Sequence, residues 1–436
     1  MPGRKSDEPR ELLGKLFLAA VSTAHPDRCL PQHLPEPPRR GRLLVVGAGK
    51  AAAAMAVATE RFYAAKGNGA RLSGFVATRH GWATATSTLD VVEAGHPVPD
   101  ATSVAAAERA LALARSAGSD DHVLCLLSGG ASALWAAPVA GVSLADKQQL
   151  TKALLRAGAR IAEINSVRKH LSRIKGGRLA AAAYPARLLT LAISDVPGDD
   201  PATIGSGPTV GDPTTLADAR AVLARYRIEP APGIEAAFAR ADNETLKPGA
   251  PELASSSYRL VATPKAALEA AAAIARSEGY DVELLGDALE GEARLVAASH
   301  AKLALEAKQR GERTAILSGG ELTVTVKGAG SGGPNQEYAL ALALALGQAP
   351  GIVALAADTD GADGGSGDAA DPAGAIVTPG SLARASELDL NAATFLENND
   401  STAFFRALGD LVETGPTHTN VNDFRAILVD PVAPPQ

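Results

Sequence analysis

The residues of this chain best suited to chemistry sit where short apolar runs stop. Lys50 closes LLVVGAGK (43–50), just behind Gly47 and Gly49. Ser128, Gly129, Gly130 and Ser132 close VLCLLSGGAS (123–132), and Asp195 follows the apolar run in LLTLAISDVPGDD (188–200). Gly319, Gly320 and Glu321 end AILSGGE (315–321). Asp358, Asp360, Asp363 and Asp368 crowd the loop after IVALAA (352–357). Glycine N–H groups can approach an anion closely, a lysine can neutralise phosphate, and carboxylates can hold a metal ion. Together these groups suit a phosphorylated nucleotide with a magnesium ion.

Each cluster admits more than one reading. Gly47-x-Gly49-x-x-Ala52 satisfies the G-x-G-x-x-G/A dinucleotide fingerprint. A nicotinamide site also wants an acid at the end of the next strand, and Thr78-Arg79-His80 stands there instead. The turn is not a Walker A motif. Lys50 can serve phosphoryl transfer, or the turn can be purely structural. The Ser128–Ser132 segment reads as a phosphate nest or as a serine-capped turn, and it lacks G-x-S-x-G.

In INSVRKHLSRIKGGRLA (164–180), Arg168, Lys169, His170, Arg173, Lys175 and Arg178 load what is predicted to be one short helix. Positions 168, 172, 175 and 179 would share a face, either solvated or aimed at an anionic substrate. Asp199, Asp200 and the run GSGPT (205–209) follow Asp195. An EF-hand is excluded after Asp358, because Ala362 occupies the fifth loop position. Asn335-Gln336-Glu337 opens an apolar helix behind a glycine-rich loop (328–333).

The elements that position these groups follow from the apolar runs themselves. Runs of four to seven Val, Leu and Ile residues read as strands buried on both faces of a parallel sheet. Such sheets bind ligands at the carboxyl ends of their strands. Strands alternate with alanine-rich helical segments up to about residue 240, which predicts a doubly wound α/β domain. A polar stretch, 243–257, reads as a linker, and YRLVAT (258–263) restarts the pattern. With 436 residues, two domains are expected, 1–240 and 241–436.

Composition narrows the function classes. Net charge is -6 and aromatics make up 4% of the chain, so neither a basic surface nor a stacking platform for nucleic acid is expected. The two cysteines, Cys29 and Cys125, match no metal spacing. The apolar stretch 338–347 has about half the ~20 residues a membrane span needs. A soluble, cytoplasmic protein without a membrane partner is expected.

In this order, the blocks VVGAGKAA, LLSGGASAL, INSVRKHLSRIKGGRLA, SDVPGDDPATIGSGPT, SGGE, GGPNQE, DTDGADG and GPTHTNVND resemble the glycerate 2-kinase family with a C-terminal MOFRL domain. The resemblance spans residues 43 to 423. It implies two α/β domains, the first Rossmann-like, with the active site in the cleft between them and the MOFRL region at about 312–425. It implies ATP-dependent phosphorylation of D-glycerate at the 2-hydroxyl, with Mg²⁺, by a monomer or homodimer. It carries family roles over to Lys50 as the phosphate-stabilising cation and to Asp195, Glu321 and Asp360, read as metal ligands, Asp195 being also catalytic. The residues' own chemistry adds Gly47, Gly49, Ser128, Gly129, Gly130, Ser132, Gly319, Gly320 and Asn335 as nucleotide-binding candidates, Arg168 and Lys175 as substrate-binding ones, and Arg173 as a catalytic candidate. The chain departs from the family pattern at Ser331, where an arginine is usual, which leaves Lys327 or Arg173 to supply that charge. Family members also carry the name hydroxypyruvate reductase, an NAD(P)H-dependent alternative that the missing acid after Thr78 argues against.

Overall fold

The computed structural model describes residues 8–67, 72–364 and 369–431; Asp368 lies outside them. The chain forms two units. One runs from Pro26 to Val261, and the other joins the residues up to His25 to those from Ala262 onward. The predicted boundary near 240 therefore moves. β6 (Ser256–Ala262) is the edge strand of the first sheet and does not begin a second domain. Tyr258 and Leu260 pack on the first core, which holds the strand there.

The first sheet also contains β1 (Leu43–Ala48), β2 (Leu72–Arg79), β3 (Asp90–Ala94), β4 (His122–Leu127) and β5 (Arg187–Ile193). Its order is β3-β2-β1-β4-β5-β6, and the pairings β3/β2, β2/β1, β1/β4 and β4/β5 are parallel. All six residues of β1 are buried. That matches its uninterrupted apolar sequence, since both sheet faces are covered. Alanines explain the close cover. Ala106, Ala107, Ala110 and Ala114 lie in one core cluster with Val46, Phe75 and Leu127. Their helix, Ala101–Arg115, starts at Asp100, whose carboxylate accepts the Ser103 N–H at 2.8 Å.

A helical annex belongs to the same unit. Leu150, Leu154, Ile164, Val167, Leu216, Leu223, Ile234 and Phe238 form its separate core. It carries the helices Leu144–Arg156 and Ile161–His170. The basic segment is broken, where one helix was expected. The first helix ends at His170, and Arg178–Ala183 starts a second. Between them the Arg173 N–H donates to Ala137 O, and the Gly177 N–H to Gly207 O. Backbone groups spent on neighbours cannot continue a helical ladder.

The second sheet corrects the expectation of parallel strands throughout. It comprises β7 (Asp281–Glu292), β8 (Thr314–Thr323), β9 (Ile352–Asp358), β10 (Gly374–Val377), β11 (Leu411–Val412) and β12 (Asp423–Val429). Only β7/β8 pair in parallel; β12 runs antiparallel to both β8 and β9, and β10 to β9 and β11. An apolar run reports burial on two faces, not strand direction. Helices Glu8–Ala24 and Pro264–Ser277 pack against this sheet, as do Ala293–Arg310 and Pro334–Leu346. Phe17 meets Phe424 with ring centroids 6.0 Å apart, which fixes the N-terminal helix in this unit.

Both cysteines are free and buried, and burial pushes each thiol up to about 12. Among the described residues no helix is long and apolar enough to cross a membrane.

Candidate functional site

In the first unit the strand order reverses between β1 and β4, the switch point at which open α/β sheets bind ligands. The turns after those strands are bonded to each other. The Lys50 N–H donates to Gly129 O at 2.8 Å, and the Ala51 N–H to Ser128 Oγ at 2.9 Å. Gly49 has φ 141°, and a Cβ there would lie 2.0 Å from Ser128 Oγ, so only glycine permits this joint. Gly47 sits inside β1. The N–H groups of Gly49 and Ala52 bond to Ala77 O and Gly49 O. The first turn is therefore closed on itself and offers no open anion nest, contrary to the expectation for Gly47 and Gly49. Ser128 is a buried strut. The Gly129 and Gly130 N–H groups, by contrast, make no hydrogen bond among the described residues.

Three loops converge here. A Cβ built on Gly130 would lie 3.0 Å from the His96 ring and 3.4 Å from Lys50 Cγ. Lys50, following β1, His96, following β3, and Gly130, following β4, thus pack around one point. Asp195 stands two residues beyond β5, half-buried.

Beside them lies a cavity of about 380 Å³, whose lining includes His96, Gly130, Ser132, Lys147, Arg168 and Lys175 and no acidic residue. Lys175 Nζ donates to Ser132 O at 2.6 Å and to Ser132 Oγ at 2.7 Å, and Ser132 Oγ meets Ser206 Oγ at 2.9 Å. Lys147 Nζ donates to Leu171 O, and Arg168 Nε makes a long contact with Thr151 Oγ1. Burial pulls the Lys147 ammonium down to about 7, helped by Arg168, Arg178 and Arg173. Lys175 is lowered far below the ordinary lysine value by burial and then by Lys147, Arg168 and Lys169; burial also lowers Arg168. The other cations of the segment are spent. Lys169 pairs with Asp212 at 3.2 Å, His170 Nε2 meets Glu244 at 3.0 Å, and Arg178 binds four backbone carbonyls.

Arg173 does not face this cavity. It pairs with Glu108 through both terminal nitrogens and donates to Pro138 O. It was expected to be catalytic; the structure instead pairs it with Glu108, outside the lining of this cavity. Sequence reasoning missed Lys147. Its helix alternates polar and apolar faces, and a polar face ordinarily reads as solvent-exposed.

In the second unit, Gly319, Gly320 and Glu321 lie within β8, not beyond its end. A Cβ on Gly320 would sit 2.2 Å from the Leu289 backbone, so this glycine admits β7. Gly319 pairs with Phe424 of β12, and Glu321 is exposed. Asn335 Nδ2 donates to Asp363 Oδ1 and Asp423 Oδ1, while its own Oδ1 is buried without a hydrogen bond. Gln336 bonds Asp363 and Thr402, and Glu337 accepts from Arg294 and Asn399. The NQE triplet is thus a buried hub that ties loops together. Asp360 is fully buried, and its Oδ1 caps the Ala362 N–H. Ser331 is exposed, its N–H on Asp400. Among the described residues, no three His, Cys, Asp or Glu side chains group to hold a metal ion.

An α/β switch-point cradle followed by a second α/β unit defines a class that comparison with known proteins resolves. A domain family of unknown function, DUF4147, matches residues 12–240, and the MOFRL family matches 314–423. The chain is 37% identical over 419 residues to D-glycerate 2-kinase of Thermotoga maritima, covering 95% of this chain and 97% of that one. The crystal structure of Thermotoga maritima glycerate kinase superimposes with a TM-score of 0.84 at 36% identity, covering 97% of this chain and all of that one. An Agrobacterium vitis protein, provisionally named hydroxypyruvate reductase, is 50% identical over 426 residues, covering 96% of this chain and 94% of its own length. The chain belongs to the glycerate 2-kinase family with a C-terminal MOFRL region.

Proposed function

We propose that the chain transfers the γ-phosphoryl group of ATP to the 2-hydroxyl of D-glycerate, giving 2-phosphoglycerate and ADP. The observation that carries this reading is the convergence of Lys50, His96 and Gly130 beside a cavity whose lining carries lysines and an arginine and no acid, at the switch point. Phosphoryl transfer depends on fixed positive charge around the transferring oxygens, and Lys50 supplies it in this reading. Arg168 and Lys175 take the acceptor carboxylate. With C1 held, the adjacent C2 hydroxyl is the better aligned nucleophile. Asp195 is the carboxylate that receives its proton or faces the metal.

The 3-2-1-4-5-6 order, with its first five strands parallel, is of Rossmann type and supports a nucleotide on this unit. Mg²⁺ commonly takes one or two carboxylates together with substrate phosphates, so a protein-only cluster is not required. Asp195, half-buried just beyond β5, fits that pattern by position. Asp360, buried and capping its own loop, does not. The ion would shield charge on the phosphates.

Hydroxypyruvate reduction is the second reading, favoured by the names of relatives. Against it, the Gly49 to Ala52 N–H groups that would hold a pyrophosphate are already bonded within the protein. Coupling to enolase tests the main reading, because enolase consumes 2-phosphoglycerate directly. A signal that needs added phosphoglycerate mutase would overturn the regiochemistry. Nicotinamide oxidation with hydroxypyruvate, without ADP release from glycerate, would favour the reductase.

A further inference from the structure

The cavity beside Ser132 exceeds what a three-carbon acid fills. About 380 Å³ is room for roughly a dozen water molecules, and it falls in the ~300–1,000 Å³ range of sites for far larger ligands. Its lining combines two chemistries. Lys175, only 3% exposed, lines it together with Arg168 and Lys147. Pro97, Val98, Leu144 and Leu155 line it with apolar surface. Val98 and Leu155 are 52% and 58% exposed, so an apolar group entering the cavity could cover them.

One helix builds much of the wall. Leu144, Lys147, Gln148, Thr151, Lys152 and Leu155 of Leu144–Arg156 follow i, i+3, i+4, i+7, i+8 and i+11 spacing. Leu150 and Leu154 of the same helix enter the annex core, so the cavity face is set rigidly. Gln148 Nε2 donates to Pro99 O at 2.7 Å and fastens the opposite wall to it.

The basic part of the lining is electrostatically incomplete. Lys175 is buried, Lys147 and Arg168 are half-buried, and none has an acidic partner among the described residues. The nearby carboxylates Asp212 and Glu108 pair with Lys169 and Arg173. An anion there would supply the missing charge, and an apolar tail would cover Val98 and Leu155.

We propose that this cavity takes 2-hydroxy acids longer than glycerate, the carboxylate on Lys175, Arg168 and Lys147 and the alkyl chain on the apolar part of the lining. Phosphorylation of such acids rests on the kinase reading; their binding does not.

The test is titration calorimetry on the full chain, without nucleotide, using D-glycerate and D-2-hydroxyhexanoate. The longer acid is expected to bind at least tenfold more tightly, as buried methylenes dictate. Arg168→Gln is expected to weaken both acids at least tenfold. Leu155→Asp, at an exposed position that tolerates change, is expected to narrow the ratio between the acids at least fivefold. Equal or weaker binding of the longer acid, or unchanged isotherms in both folded variants, would overturn the proposal. A parallel assay of ADP release with MgATP separates the two readings. Intact isotherms with no ADP from either acid would sink the kinase reading and leave the acid pocket standing.

Discussion

Lys175 reaches across the first unit to Ser132, donating to its carbonyl at 2.6 Å and to its hydroxyl at 2.7 Å. The contact joins the break in the basic segment to the turn after β4. It holds the buried Lys175 amine against the cavity while Ser206 supports the same hydroxyl. Lys175→Met keeps the side-chain volume and removes the amine. The Michaelis constant for D-glycerate is expected to rise at least about tenfold with a smaller change in turnover, the pattern of lost ground-state binding. An unchanged constant in a variant with native circular dichroism would show that the carboxylate sits elsewhere.

Lys50→Ala is expected to lower turnover by about 10²–10³-fold, the usual loss for one preorganised electrostatic group. The fold should survive, since the backbone bonds from Lys50 and Ala51 to Gly129 and Ser128 do not involve the lysine side chain. ADP release under saturating substrates measures it. Near-normal turnover would return the GAGK turn to a structural role.

Lys147 makes acid binding depend on pH. Its ammonium is pulled to about 7 by burial and by Arg168, Arg178 and Arg173, and Lys175 lines the same cavity. Below that value the cluster carries the extra positive charge; as pH rises through it the charge is lost. The affinity for an acid anion is therefore expected to fall between about pH 6 and pH 8. His96 and Lys152 also line the cavity, so Lys147→Arg is the control. The arginine stays charged and should flatten the profile. A profile identical in both proteins would assign the titration to another group.

Arg425 is 1% exposed and donates to Asp423 at 2.9 Å, to Ser318 Oγ and to the Gly319 and Gly320 carbonyls. Arg425→Met leaves Asp423 buried without its cation. Breaking a buried pair in this way costs about 3–5 kcal/mol. The urea midpoint should fall accordingly, read on the transition of the C-terminal unit. A shift under about 1 kcal/mol would mean that Asn335, which also donates to Asp423, holds that carboxylate on its own.

By itself the sequence determined which strands are buried and where chemistry could gather. β1, β4, β5, β8 and β9 were legible because a strand covered on both faces must be apolar along its length. Lys50 and the Ser128–Ser132 turn were legible because they interrupt such runs with groups that do not belong in a core. Short or polar strands escaped: β3, with its exposed and half-buried pattern, carries no such signal. Tertiary structure alone decided direction, partnership and remaining charge. Nothing local in β12 says that it runs antiparallel between β8 and β9. Nothing in the basic segment separates Lys169, paired with Asp212, or Arg173, paired with Glu108, from Arg168 and Lys175, which line the cavity without an acidic partner. Those partners lie tens of residues away, and the strength of a charge depends on what stands next to it in space.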